Sequence, residues 1–525
     1  MLMILKEKKL FGLAGILAAV LTIASVDINA AKSVSVRIDV TGGTIEGVTE
    51  DGMNVYKGIP FAAPPVGDLR WKAPQPVVAW DGVREARQFG NSPVQAMGGG
   101  DEDCLYLNVW TPAEKVNEKL PVMVWIFGGG FAMGSSSEFD GAPLARKGVV
   151  FVSINYRVGT MGFFAHPQLS EENPQHVSGN YGILDQIAAL EWVQENIAKF
   201  GGDPKNVTIF GESAGAISVS ILCASPLAKG LFRRAISQSG GSFAPARKKA
   251  YPGENMRTLA DLEQEGLDKM NSLKCSSIAE MRALAPRAIG GGFAMAGGAW
   301  PLVDGYVIPG DQYEMYEAGN YNKVDILVGI NSDEGLSFGA TSDPKKHRAE
   351  LQERYGKFAE ALLEAYPIND VTVPRSGRNL TRDVGFGWHT WAWACKQTET
   401  SRTKVYLYYF DQHPDYPEGS SKYGQGSPHG QDVDYVFGRL KPQTDMPTDH
   451  ALSEIMIDYW TNFAKTGNPN GNGLPEWPEF SGEGGLLMNL TGDKPFAGPV
   501  HEEEALKVLD KYFEWRRTPE GKVKY

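Results

Sequence analysis

Ser213 stands in Gly211-Glu212-Ser213-Ala214-Gly215, between the apolar run 207–210 and the helix-compatible stretch 214–224. A hydroxyl on a tight strand-to-helix turn is lifted above the sheet, where it can meet a base and an incoming carbonyl. The two glycines keep the turn free of crowding, and the N–H of Ala214 points to where a carbonyl oxygen would become an oxyanion. Only three of the five positions are fixed in this pattern, so the rest of the chain must supply the partners.

Three further segments could do so. Gly128-Gly129-Gly130-Phe131 follows the apolar run 121–127, and bare backbone N–H groups after a buried strand suit an oxyanion hole. Asn331-Ser332-Asp333-Glu334-Gly335 follows the run 324–330, and a carboxylate there could orient a histidine. Spacing does not choose between Asp333 and Glu334. His429 lies in the Gly-, Ser- and Pro-rich loop 424–430, after the run 405–410. His413 is its weaker rival. His347, His450 and His501 read as solvated helix positions, and His389, among Trp388, Trp391 and Trp393, reads as packing. Serine, acid, histidine is the chain order expected of an α/β-hydrolase.

The elements that must hold these groups have a recognisable rhythm. Apolar runs at 121–127, 149–155, 207–210, 234–237, 324–330 and 405–410 alternate with helical patterns. In 185–199, Ile187, Leu190, Val193 and Ile197 mark one buried helical face. Near-continuous apolar strands joined by helices predict a mostly parallel sheet covered on both faces. Residues 33–79 alternate in shorter steps and predict antiparallel strands added at one edge. Segments 261–284 and 344–366 interrupt the series as helical cap insertions, and no linker divides residues 32–525, which read as one α/β domain. In such sheets ligands bind beyond the carboxyl ends of the strands, where every candidate above is placed.

Bulk properties narrow the partners. A formal charge of −12 over 525 residues argues against a nucleic-acid surface, which needs clustered Lys and Arg. Lys6, Lys8 and Lys9 precede the apolar stretch 10–26 and the small residues Ala30 and Ala31. That pattern predicts a signal peptide over 1–31 and a secreted or periplasmic mature chain beginning near Lys32. The apolar stretch falls short of the ~20 residues of a membrane span, so no stable span is expected after processing. Cys104, Cys223, Cys275 and Cys395 show no paired spacing, which speaks against a metal site and a dense disulfide framework. Cys223 reads as a buried inert thiol.

With these residues in view the chain resembles the type B carboxylesterases, the family that includes cholinesterases and bacterial para-nitrobenzyl esterases. Glu102-Asp103-Cys104-Leu105-Tyr106-Leu107-Asn108-Val109-Trp110 and Phe200-Gly201-Gly202-Asp203-Pro204 through Gly215 match its signatures, and Tyr56–Phe61, Pro64–Gly67 and Trp460–Ala464 are similar to it as well. The resemblance implies Ser213 as nucleophile, His429 as base and Glu334 rather than Asp333 as acid. It implies Gly129, Gly130 and Ala214 as oxyanion donors, an α/β-hydrolase fold, no metal or organic cofactor, and small to medium carboxylic esters as substrates.

Departures matter too. Segment 89–103 lacks the family's upstream cysteine, leaving Cys104 unpaired, and loop 92–100 lacks the aromatic residue that would hold a choline ester. Segment 288–300, with Phe293 and Trp300, is expected to shape an acyl pocket. Two other readings are weighed: a feruloyl-type esterase, suggested by Trp388, Trp391, Trp393 and Tyr423, and a non-catalytic binding protein on the same scaffold. The presence of serine, acid, histidine and glycine run argues against the second.

Overall fold

The computed structural model describes residues 34–95, 98–290, 299–339 and 341–524. The proposed signal peptide and Phe293 therefore lie outside the described residues. Among the described residues thirteen strands form one sheet: β1 (Val34–Val40), β2 (Gly43–Glu50), β3 (Met53–Pro60), β4 (Val83–Glu85), β5 (Tyr106–Thr111), β6 (Leu120–Ile126), β7 (Val150–Ile154), β8 (Gly202–Glu212), β9 (Arg234–Gln238), β10 (Asp325–Asn331), β11 (Val405–Phe410), β12 (Leu486–Leu490) and β13 (Phe496–Pro499). Their order is β1-β2-β3-β5-β7-β6-β8-β9-β10-β11-β12-β13, with β4 beside β2. From β7 to β12 every neighbouring pair is parallel, and β1, β2, β3 and β5 add antiparallel strands at one edge. This is the α/β-hydrolase architecture expected from the alternating runs. β13, antiparallel to β12, closes the far edge.

The centre of the sheet is dry, as its apolar runs require. All five residues of β7 and of β9 are buried. Trp125 of β6 meets Phe139, Phe210 and Phe437 with ring centroids 4.8–4.9 Å apart. Helix Ala214–Ala224 is buried on every side, which its composition of Ala, Ile, Val and Leu permits. The helix predicted over 185–199 runs Tyr181–Asn196 and tightens into a 3-10 turn, Ile197–Phe200, stopped by Gly201 in the left-handed conformation (φ 81°). Cys104, Cys223 and Cys395 are buried free thiols, and Cys275 is also free.

The insertions are helical: Leu259–Ser272 and Ile278–Ala283 in the first, Pro344–Tyr355 and Ala359–Ala365 in the second. The first packs on a satellite core with Trp71 and Phe164. None of these four helices lines the central cavity. Its walls come instead from loop 239–256, from the turn after β10, and from Thr381 to His389. No helix of the described residues is long and apolar enough to cross a membrane.

The order of strands creates the crevice. β6 is flanked by β7 on one side and β8 on the other, so the chain reverses its direction of travel across the sheet at β6. The turns following β6 and β8 diverge there, opening a cleft at the carboxyl edge.

Candidate active site

Ser213 lies between the end of β8 and helix Ala214–Ala224 with φ 55° and ψ −121°, a conformation a residue with a Cβ rarely adopts. The surroundings force it. A Cβ on Gly215 would overlap the carbonyl oxygen of Ile126 in β6, and one on Gly211 would run into the backbone of Gly215 and Ile126. Both glycines are thus required for the turn to pack against its neighbour. The N–H of Ser213 donates to the carbonyl of Gln238 at 2.9 Å, anchoring the turn to β9 as well.

Next to this hydroxyl stands His429. Its Nε2 lies 2.8 Å from the Ser213 oxygen and accepts that O–H when the ring is neutral, and its Nδ1–H donates to Oε2 of Glu334. The other carboxylate oxygen of Glu334 accepts the N–H of Asn331 at 2.8 Å, and Glu334 is fully buried. The carboxylate is therefore fixed by its own turn before it meets the ring. Phe386 stacks on His429 at 4.6 Å and Phe338 lies against it at 5.3 Å, which limits the ring's motion.

The glycine run after β6 faces the same hydroxyl. Gly129 and Gly130 have φ of 94° and 61°, and both line the cavity that holds Ser213. Among the described residues neither N–H donates to a protein acceptor. The N–H of Ala214 begins a helix, where no intrahelical partner exists. Gly129 and Gly130 share the cavity lining with Ser213, and Ala214 follows it directly in the chain.

Among the rival residues, Asp333 turns away: its N–H donates to the carbonyl of Ser427 and its carboxylate takes the Ser332 hydroxyl at 2.7 Å. His413 is exposed and bonded to Asp411 at 2.7 Å. Asp333, Asp411 and His413 bring ligand atoms within 4.8 Å of one another, with His413 and Asp411 bonded to each other and Asp333 to Ser332. His389 is a wall residue of the cavity, with Nδ1 accepting the Phe243 N–H at 3.0 Å and Nε2 bonded to the Gly253 carbonyl at 2.8 Å. Burial lowers its pKa to about 4, so it is neutral. His347 is buried rather than solvated, and His501 sits in a turn ahead of helix Glu503–Arg517. Trp388, Trp391 and Trp393 are packed in helix Trp388–Thr400 and do not line the cavity. Trp300 does line it, edge-on to Phe131 at 4.9 Å.

Two carboxylates escape a reading by spacing alone. Glu212, the variable second position of the pentapeptide, places Oε1 3.3 Å from His429 Nε2. Burial raises its pKa to about 7, with Asp432 and Glu334 adding to the effect and His429 opposing it. Asp432, three residues after the histidine, is buried and receives hydrogen bonds from Gln238 and Tyr408, both at 2.9 Å. For His429 burial works against the charged form, but Glu212 and Glu334 outweigh it and push the ring up to about 9. Glu212 was within reach of sequence reasoning because it adjoins Ser213. Phe338 and Phe386 were not, since nothing local marks them.

The cavity holds about 220 Å³ and is walled mostly by apolar side chains, among them Ile217, Met256, Trp300, Phe338 and Phe386. A serine hydroxyl and a histidine fixed by a buried carboxylate in such a cavity are suited to acyl transfer.

Comparison with known proteins agrees with this chemistry. The sequence model of the carboxylesterase family matches residues 32–505. The fumonisin B1 esterase of Sphingopyxis macrogoltabida is 38% identical over 474 residues, covering 85% of this chain and 84% of that protein. The para-nitrobenzyl esterase of Bacillus subtilis is 35% identical, covering 89% and 97%. Among solved structures, one of a PNB esterase superposes with TM-score 0.78 at 30% identity, covering 90% of this chain and 99% of that one. A Geobacillus stearothermophilus carboxylesterase gives 0.77 at 31%, with the same coverage.

Proposed function

The chain belongs to the carboxylesterase family and is a carboxylic-ester hydrolase, and we propose that it works through an acyl-enzyme formed on Ser213. His429 Nε2 takes the proton of Ser213 as the oxygen attacks the ester carbon, and the carbonyl oxygen moves among the N–H groups of Gly129, Gly130 and Ala214. The imidazolium is stabilised at Nδ1 by Glu334 and flanked at Nε2 by Glu212. It gives its proton to the departing alkoxide, and the alcohol leaves. Water then enters and attacks the acyl carbon as His429 takes its proton, and His429 returns that proton to the Ser213 oxygen as the acid leaves.

The observation that carries this reading is the hydrogen-bonded series from Ser213 through His429 to Glu334 at the floor of the cavity. Its test is Ser213→Ala, which deletes one hydroxyl. Hydrolysis of nitrophenyl acetate should fall by about 10⁴-fold or more with the melting temperature kept, and a variant retaining near-native turnover would sink the assignment.

The mainly apolar walls support small to medium esters with apolar acyl groups. The aromatic-acyl alternative loses support, because Trp388, Trp391 and Trp393 are packed away from the cavity and the exposed Tyr423 does not line it. We also propose export across a membrane with removal of residues 1–31, supported by the basic, apolar and small-residue pattern of that segment. N-terminal sequencing of the mature protein should begin near Lys32, and an intact Met1 would reject processing.

A further inference from the structure

Behind the wall of the cavity that holds Ser213 lies a second cavity of about 270 Å³. Three residues line both: Ser242, Ala244 and Met256. Two of them are small. The third is an unbranched thioether side chain, the kind that re-packs around a guest. The partition is therefore thin, and its one bulky member can move.

Pro245, Ala246 and Val303 give the second cavity an apolar flank, and Gln312 stands within its lining. Gln312 is 2% exposed. Its Oε1 accepts the hydroxyl proton of Ser220 at 2.7 Å, and the Ser220 oxygen accepts the N–H of Ser242 at 3.3 Å. Its Nε2 has no hydrogen-bond partner among the described residues. A buried donor left unmatched is unfavourable, so an acceptor brought by a ligand would be favoured there.

Which arm of an ester could reach it follows from the site. The leaving oxygen must lie at His429 Nε2, whose ring is packed by Phe338 and Phe386, so the alcohol arm occupies that face. The side of Ser242, Ala244 and Met256 is left for the acyl arm.

We propose that the two cavities form one acyl site with Met256 as the movable wall between them. Its substrates then include esters of acids too long for the first cavity, carrying toward the far end of the chain a hydrogen-bond acceptor to which Gln312 Nε2 donates. This rests on the reading of Ser213 as nucleophile. Exposed Glu314 and Lys522 stand at the rim of the second cavity, so a long chain's end can approach water.

The test compares kcat/KM on nitrophenyl acetate, nitrophenyl octanoate and the octanoate analogue with a keto group at the penultimate carbon. Ala246→Trp fills the second cavity and should lower the octanoate-to-acetate ratio by about tenfold or more. Met256→Ala removes the wall and should raise that ratio, which covers a failure of the first variant to fold. Gln312→Leu should abolish the wild-type preference for the keto ester over octanoate. An octanoate-to-acetate ratio unmoved by either wall or plug variant overturns the two-cavity site, and a keto preference that survives Gln312→Leu removes Gln312 from it. Failure of the underlying reading is told apart by Ser213→Ala retaining acetate hydrolysis, which the ratios do not probe.

Discussion

With Glu334 bonded to one nitrogen of His429 and Glu212 3.3 Å from the other, the imidazolium is held against deprotonation up to about 9. A general base must be neutral, so kcat/KM should climb as pH rises through this raised value rather than through the ordinary histidine range near 6.5. Glu212→Gln removes one of the two negative neighbours and should move the acidic limb of the profile downward. A wild-type limb at the ordinary histidine value, or one that does not respond to Glu212→Gln, would contradict this electrostatic account. At this scale much was legible beforehand. Ser213, His429 and the glycine run were marked by what precedes and follows each of them. The choice of Glu334 over Asp333 was not open to spacing, because neighbouring residues on one turn differ in direction by a backbone angle that sequence alone does not state. Resemblance proposed Glu334, and the geometry puts its carboxylate on the ring while Asp333 takes the Ser332 hydroxyl.

The strand-to-helix turn at Ser213 exists because β8 and helix Ala214–Ala224 approach β6 closely enough that only glycine fits at 211 and 215. Gly215→Ala should therefore cost about 1–3 kcal/mol of stability as β6 and the helix are pushed apart, and the displaced Ser213 should lose turnover as well. Thermal unfolding read alongside nitrophenyl acetate hydrolysis checks both, and a variant with native stability would mean that the turn is looser than described. The parallel strands were readable because each is a short apolar run bounded by helical pattern. β5, β12 and β13 escaped that filter: β5 was noticed only as a signature segment, and β12 and β13 are short edge elements whose pairing is decided by distant partners. The π-helical turn Asp383–Gly387, which brings Phe386 onto His429, has no local signature. Tertiary packing imposes it, as is common for π turns near functional sites.

Across the whole molecule, the cavity wall is braced by a buried ion cluster that ties three distant parts of the chain together. Glu254, fully buried, receives Arg247 at 2.7 Å, Arg354 of helix Pro344–Tyr355 at 2.8 Å and Arg516 of helix Glu503–Arg517 at 2.6 Å. Its neighbours Gly253, Asn255 and Met256 line the cavity. Glu254→Gln removes the negative charge that all three guanidinium groups share and should destabilise the chain by about 3–5 kcal/mol, measurable by denaturant unfolding. Burial works to raise the pKa of Glu254, but the three arginines outweigh it and lower it below the ordinary carboxylate value. A group depressed in this way contributes its stability in full above the unfolded value, and that contribution is lost as pH falls through the folded one. The acid side of the wild-type stability curve should accordingly be steeper than that of Glu254→Gln, and parallel curves would show that the cluster carries little of the fold's pH dependence. Nothing in the sequence announces this cluster, because Arg354 and Arg516 stand 100 and 262 residues from Glu254 and each member resembles an ordinary surface charge until the helices close over it.

The most direct test of the central claim is stoichiometric inactivation with a fluorophosphonate, followed by peptide mass spectrometry. The account predicts one phosphonyl group per chain, carried by the peptide containing Ser213, with esterase activity falling in step with labelling. Label on another residue, or full activity with Ser213 fully labelled, would contradict it.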